Sequence, residues 1–423
     1  LALIVDTDVD ENNGDYSAGD LSLREALELT NANPVADTIT FDTSLMGSTI
    51  HLTAGQLNVK DDLTLTGLGA SQLTIDAGGS SRVMQVNSGT VDISGLTLTG
   101  GNIGSGGGLR NQAAATTTLT NVHIEGNTAT GYGFAGGGIT NNGDLTITHS
   151  EVTGNSSTGP VGRGGGIVNN GGTLRVTATT IGGNMATYGG GLVNAFGSMT
   201  VTDSTIAGNS ANQGGGIWSY SELSGVQTTV ITGSTISGNT ANDGGGMFND
   251  DGLTVIEHST ITDNEATGVG GGVWSAGDNT TRTEVLSSII SGNVGNDDVA
   301  YALGPTNSFV SFGYNLIGGG NATGAFNQAG GGPCVQAEFI ENGYPPAGHL
   351  LLQFAMVSQH FRKMLSQNTG QVFNQVDRAV FSACASNTHS HITALCCFEA
   401  RQPVSQEGKH IPGHVAYFIV LFQ

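Results

Sequence analysis

The sequence predicts an all-β fold, a right-handed parallel β-helix with about three short strands per coil. The first observation is a repeated glycine triplet followed by an apolar residue. It stands at Gly106–Leu109, Gly136–Ile139, Gly164–Ile167, Gly189–Leu192, Gly214–Ile217, Gly244–Met247 and Gly270–Val273, in steps of 30, 28, 25, 25, 30 and 26 residues. A period of this length marks a solenoid. The second observation is an apolar residue followed three positions later by Asn, as in Ile124/Asn127, Val152/Asn155, Ile181/Asn184, Ile206/Asn209, Ile236/Asn239, Ile261/Asn264 and Ile290/Asn293. The third is the alternation of apolar and polar residues between these marks, as in Leu145–Thr148 and Met199–Thr202, which is the strand period. One such coil cannot bury its few inward side chains, so coils must stack in parallel about 4.8 Å apart. The crossover preference makes the helix right-handed, and each Asn then joins a column able to form an amide ladder.

Taken in order, residues 1–36 form an N-terminal cap. Leu1–Val5 is a strand candidate, followed by an acidic loop with Asp6, Asp8, Asp10 and Asp15. Residues 22–29 read as a helix whose apolar face is Leu23, Ala26 and Leu27, with Ser22 and Glu25 placed for a capping box and Asn33-Pro34 as its stop. An amphipathic helix here would cover the exposed edge of the first coil.

Residues 37–333 are the coils. Outward Thr pairs such as Thr118/Thr120, Thr146/Thr148 and Thr200/Thr202 suggest an ice-binding face, but Arg175, Val230, Val255 and Glu284 interrupt it.

Residues 334–423 break the pattern. They hold five of the 69 glycines, all four cysteines and six of the ten histidines. Leu350, Phe354, Val357, Phe361 and Leu365 keep helical spacing, and residues 371–381 read as a second helix. Two readings stand: a helical accessory domain, or sequence foreign to the native protein such as out-of-frame translation. Cys384, Cys396 and Cys397 lack zinc or redox spacing.

The run Gly19-Asp-Leu-Ser-Leu-Arg-Glu-Ala-Leu27, with Asn31–Pro34 and Asp37–Phe41, resembles the CSLREA-type domain of bacterial surface proteins. A Cys usually stands in that family where this chain has Leu21. The triplet and apolar-x-x-Asn marks resemble the repeats of polymorphic outer membrane proteins and related pectate-lyase-like β-helices. The resemblances span about residues 4–330. They imply a secreted or surface-displayed bacterial protein, adhesive or structural, and do not imply catalysis.

The charge balance points the same way. The chain carries 12 Lys+Arg against 34 Asp+Glu, a net charge of −22. Phosphate recognition needs clustered cations, so nucleic acid is not an expected partner. No apolar run is long enough for a transmembrane helix, and no leader opens the chain, as expected of a fragment or mature product.

Candidate sites follow from columns. The residue after each triplet's apolar residue runs Arg110, Thr140, Val168, Val193, Trp218, Phe248, Trp274. Period 2 sends Trp218, Phe248 and Trp274 outward on successive coils, with Tyr220 one outward step beyond. Beside Glu222, Asp250, Asp251 and Asp278, this row is a candidate site for a polysaccharide or cell-surface glycan. The alternative is a satellite cluster packed under the loop at residues 219–229. Asp250, Asp251 and Asp278 are the candidate carboxylates for glycoside hydrolysis, which needs two, and the enzyme alternative is a polysaccharide lyase or glycoside hydrolase on this face. Gly-His and Arg-x-Lys runs of polygalacturonase-like β-helices are absent from residues 37–333, and Arg163, Arg175 and Arg282 look scattered. Asp6, Asp8, Asp10 and Asp15 are candidate calcium ligands, although an ordinary polar loop also explains them. No other cofactor is expected. His51, His123, His149 and His258 fall in separate coils and read as surface residues.

Overall fold

The computed structural model describes residues 1–220, 227–276, 281–295, 297–301 and 309–320, and four further strands, Val335–Gln336, Ala383–Thr388, His391–Ala400 and Ala416–Leu421. Parallel sheets stack into a β-solenoid of about ten turns, as the glycine period predicts. At strand spacing this makes a rod about 50 Å long.

One coil shows why. Ile167–Asn170, Thr173–Thr177 and Thr180–Gly182 are its three strands. Each pairs in parallel and in register with Leu192–Ala195, Ser198–Thr202 and Thr205–Ala207 of the next coil. Alternation sends Leu174 and Val176 inward and Arg175 outward. Inward columns such as Ile139, Ile167, Leu192, Ile217, Met247 and Val273 are fully buried. Each such side chain contributes about 2 kcal/mol of burial relative to exposure.

Three ladders of polar side chains line the corners. Asn127, Asn155, Asn184, Asn209, Asn239, Asn264 and Asn293 bond Nδ2 to the next Oδ1 at 2.8–3.1 Å, and Asp298 ends the series. The same Oδ1 atoms also accept the preceding backbone N–H, as from Asn155 to Asn184 at 2.9 Å. A second ladder, not anticipated, joins Asn111, Asn141, Asn169 and Asn194 at 2.7–2.9 Å and passes to Thr229 Oγ1 at 3.0 Å. A third runs through the hydroxyls of Ser150, Thr179, Ser204, Ser234, Ser259 and Ser288, each accepting a backbone N–H from the coil before. Buried amides are thereby satisfied without loss of the turn.

The glycine triplet has two physical causes. In six of the seven triplets, all but Gly136–Ile139, the first residue turns the chain into the left-handed region, as at Gly214 with φ 63°. The second lets coils approach, since a Cβ on Gly215 would stand 2.4 Å from the Gly245 carbonyl oxygen.

The N-terminus folds as expected. Strand β1 (Ala2–Val5) pairs in parallel with β2 (Asp37–Phe41). Helix α1 (Leu23–Asn31) carries the full Ser22/Glu25 capping box and buries Leu23, Ala26 and Leu27. Arg24 explains the neighbouring motif position. Its guanidinium bonds Asp10 at 2.7 and 3.0 Å and the Gly55 carbonyl at 2.7 Å, tying loop and helix to the first coil. Leu21 is buried, so an apolar residue serves at that place.

In the tail, the described strands Ala383–Thr388, His391–Ala400 and Ala416–Leu421 form an antiparallel sheet rather than helix. The helices expected around 350–365 and 371–381 lie outside the described residues. Among the described residues no helix is long and apolar enough to cross a membrane.

Candidate functional site

The outward side of the first strands carries the column Gln85, Arg110, Thr140, Val168, Val193, Trp218, Phe248, Trp274, Ala300, in continuous parallel register. The predicted stacking of Trp218, Phe248 and Trp274 is therefore observed. Of the two readings of this row, their burial agrees with the packed satellite cluster and not with an open row. Trp218 and Phe248 are 2 % exposed. They form a second hydrophobic cluster with Val168, Val193, Ala195 and Ala276, against which Phe134, Tyr188, Tyr220 and Trp274 pack. The flat faces of Trp218 and Phe248 are used inside the protein, so these two rings are packing residues rather than an open platform. Phe248 stacks on Trp274 with centroids 4.1 Å apart. Trp218 lies between Tyr188 at 4.9 Å and Tyr220 at 4.6 Å.

The cover comes from the turns before the triplets. Arg163, Tyr188, Gln213 and Asp243 are bridged coil to coil there, and Arg163 projects into the aromatic cluster. Its guanidinium carbon is 4.2 Å from the Phe134 ring centre, 5.2 Å from Tyr220, 5.4 Å from Trp218 and 5.9 Å from Tyr188. A cation over several ring faces is attracted by their quadrupoles, more strongly where water is excluded. Its Nε is buried without a hydrogen-bond partner. Arg163 is thus the centre of the cluster, not one of three scattered bases. Arg282 instead bonds Glu284 at 2.6 Å, and Arg175 lies outward on the second strands.

Asp250 closes the far side. Burial and the neighbouring Asp251 push its carboxyl up to about 6, against the opposing pull of the Trp218 indole and Arg163. The Trp218 Nε1–H makes no hydrogen bond of ordinary geometry, so its pull on Asp250 acts as a nearby dipole rather than as a formed bond. The Asp251 carboxylate accepts the Gly252 N–H at 2.7 Å. Glu222 and Asp278 lie outside the described residues. The rim of the cluster reaches solvent through Phe196, 38 % exposed, whose ring is 5.3 Å from Phe134 and 5.9 Å from Tyr220.

Phe134, Arg163, Tyr188 and Phe196 were not legible as site residues. A signal existed for two of them: Arg163 and Tyr188 both directly precede a triplet, which makes them one column.

In the acidic N-terminal loop, Asp6, Asp10 and Asp15 are bonded to groups of the protein itself. Asp6 accepts the N–H groups of Gly19 at 2.6 Å and Leu21 at 3.0 Å. Asp10 is paired with Arg24 and also accepts the N–H groups of Thr53 and Ala54. Asp15 accepts from Ser17 N–H at 3.0 Å. The carboxylates, Asp8 included, are not gathered, and among the described residues no group of three His, Cys, Asp or Glu side chains could hold a metal ion. Of the histidines, His51 faces Asp76 at 3.2 Å and His123 faces Glu151 at 4.0 Å, both on the outer surface.

No family model, no curated protein and no solved structure matches this chain. The functional reading therefore rests on the geometry alone.

Proposed function

We propose that this chain is a non-catalytic, extracellular display solenoid that binds an extended glycan at the solvent-exposed rim of the aromatic cluster over its first strands, called the ridge below. The observation that carries the reading is Arg163, held over four aromatic rings at the edge of which Phe196 meets solvent. Rings backed by other rings lose little entropy on stacking a sugar, and a guanidinium beside them offers donors to its hydroxyls. The ladders beneath keep the ridge rigid, which lowers the ordering cost of binding. Absence of cysteine before residue 334 suits a chain that does not depend on redox compartment. The test is affinity for a panel of neutral and acidic polysaccharides, with Phe196→Ala and Arg163→Gln as variants. Saturable binding weakened about tenfold by each supports the ridge. Equal affinity in both variants removes it.

One observation favours a second reading, a polysaccharide lyase or glycoside hydrolase on the same face. A carboxyl near 6 beside a second carboxylate suits a general acid at neutral pH. Release of new reducing ends or unsaturated sugars, abolished in Asp250→Asn, would establish it in place of the binding reading.

A further inference from the structure

Cations are few in residues 1–333, and the paired ones have acids for partners: Arg24 with Asp10 and Arg282 with Glu284. Arg82 and Arg110 do not. They lie together at the N-terminal end of the face that carries the aromatic ridge. Arg82 is 6 % exposed. Its Nε and Nη2 bond the carbonyl oxygens of Gly106 at 3.0 Å and Ser105 at 2.8 Å. Its Nη1 bonds Gln85 Oε1 at 2.9 Å, and also Gln56 Oε1. Arg110 rises beside the same turn, because a Cβ placed on Gly106 would stand 3.2 Å from the Arg110 Cβ. The Arg110 Nε is buried and has no hydrogen-bond partner, and no ion pair holds its guanidinium among the described residues.

Two guanidinium groups side by side repel, and burial makes the repulsion stronger. Burial and the Arg110 charge together lower Arg82 to about 10, so it stays protonated at neutral pH. A buried polar atom left without a partner costs further. In a chain of net charge −22, such a pair is not there for bulk solubility. An oxyanion, two of whose oxygens take parallel N–H bonds from a guanidinium fork, would relieve both costs.

We propose that Arg82 and Arg110 form an oxyanion subsite, taking a carboxylate or sulfate group on the glycan bound by the ridge. The proposal rests on the glycan reading and specifies its ligand as anionic. Arg110 makes the contact, and Arg82, fixed by its four acceptors, orients and reinforces the field. Arg110 and Trp218 share one column four coils apart, about 19 Å at strand spacing. A single extended chain of sugars can run from Arg110 to the exposed rim of the cluster that covers Trp218, at Phe196.

The experiment has two arms. In the first, inorganic sulfate and acetate are titrated against chloride at matched ionic strength, with the melting temperature followed in the wild type, Arg110→Gln and Arg175→Gln. The expected result is a saturable rise with sulfate or acetate in the wild type and in Arg175→Gln, and none in Arg110→Gln. Equal response of all three would show only the general salting effect and overturn the subsite. The Arg110 side chain has no hydrogen bond to lose among the described residues, so Arg110→Gln should fold normally, and Arg110→Lys should recover part of the response. In the second arm, dextran, dextran sulfate and carboxymethyl-dextran are compared on one backbone. At least tenfold weaker binding of one charged polymer to Arg110→Gln identifies the oxyanion. Glycan binding that is indifferent to charge overturns the subsite and leaves the ridge standing. An ion response without binding of any polysaccharide overturns the ridge and leaves the subsite as one for free anions.

Discussion

Asn184 is bonded on both sides within one column. Its Oδ1 accepts the backbone N–H of Asn155 at 2.9 Å and the Asn155 amide at 3.1 Å, while its own Nδ2 donates to Asn209 Oδ1 at 2.9 Å and to the Val152 carbonyl at 2.9 Å. Every hydrogen-bonding position of this side chain is thus spent inside the protein.

Asn184→Ala should therefore be severe. It strands the Asn155 N–H, one Asn155 amide donor and the Val152 carbonyl in a buried corner, at about 1 kcal/mol or more each, so about 3 kcal/mol in total. Asn127, at the head of the same ladder, receives only the Gly101 N–H on its Oδ1 and serves the buried Leu98 carbonyl with its Nδ2, so Asn127→Ala strands two buried groups and should cost about 2 kcal/mol. Urea unfolding with an unchanged m-value would read both. Equal losses at the two sites would mean that the ladder does not share its load in the way described.

A second prediction concerns the corner that precedes the hydroxyl ladder. Gly95, Asn121, His149, Ala178, Asp203, Gly233, His258 and Ser287 all have φ between 48° and 65°. Ala178 has no side-chain bond to offset that strain. Ala178→Gly should stabilise the fold by about 0.5 kcal/mol, the left-handed penalty less the entropy that glycine adds to the unfolded chain. Gly233→Ala should do the reverse and cost more, because its Cβ would meet Asp203 Oδ1 at 2.3 Å. Thermal melts of both variants decide the matter, and a loss of stability in Ala178→Gly would contradict it.

These columns explain what the sequence discloses. The period, the inward Ile and Leu columns and the Asn127–Asn293 ladder are legible because stacking copies each position into the next coil. The Asn111–Asn194 ladder is equally periodic, but Ser219 and Ser275 interrupt its column and hide it in the sequence. Trp218 was correctly placed in its column, and a packed satellite cluster was one of its two readings, but what covers it was not legible. Its cover comes from Phe134, Arg163 and Tyr188, which belong to turns of unequal length where period says nothing. The acidic loop left two readings open for a related reason. Carboxylates of Asp6 and Asp10 suggest a cation until the backbone N–H groups and Arg24 that claim them are seen.

The cap offers a pH test. Burial disfavours the charge on Glu25, but the N–H groups of Ser22, Gly14 and Asn13 outweigh it and hold its carboxyl below the ordinary value of 4.5. A depressed pKa means stability that is full above 4.5 and is lost as pH falls through the lower folded value. The wild type should therefore lose the advantage of this carboxylate only in acid. Glu25→Gln should cost about 1 kcal/mol at pH 7 through the weakened box and loop. Hydrogen exchange of the Asn13, Gly14 and Ser22 amides would report it locally, and unchanged protection in the variant would refute the role given to Glu25.

Asp250 should behave in the opposite sense. Its carboxyl lies at about 6 when folded against 3.8 as reference, because it is buried beside Asp251. Between those values the folded chain holds more protons than the unfolded one, so stability falls as pH rises through that window. Its burden is complete above about pH 6 and absent below 3.8. Asp250→Asn, which keeps the shape but not the charge, should be more stable than the wild type at pH 7 by about 1 kcal/mol, after solvent screening is allowed for. That gain should vanish at pH 3.5. Tryptophan emission offers a second readout, because the Trp218 indole lies against Asp250 and should follow its titration. In the wild type the emission should shift with a midpoint near 6, and in Asp250→Asn it should be flat over the same range. A wild-type midpoint near 4, or a shift that survives in Asp250→Asn, would place the charge elsewhere and remove the general-acid reading with it.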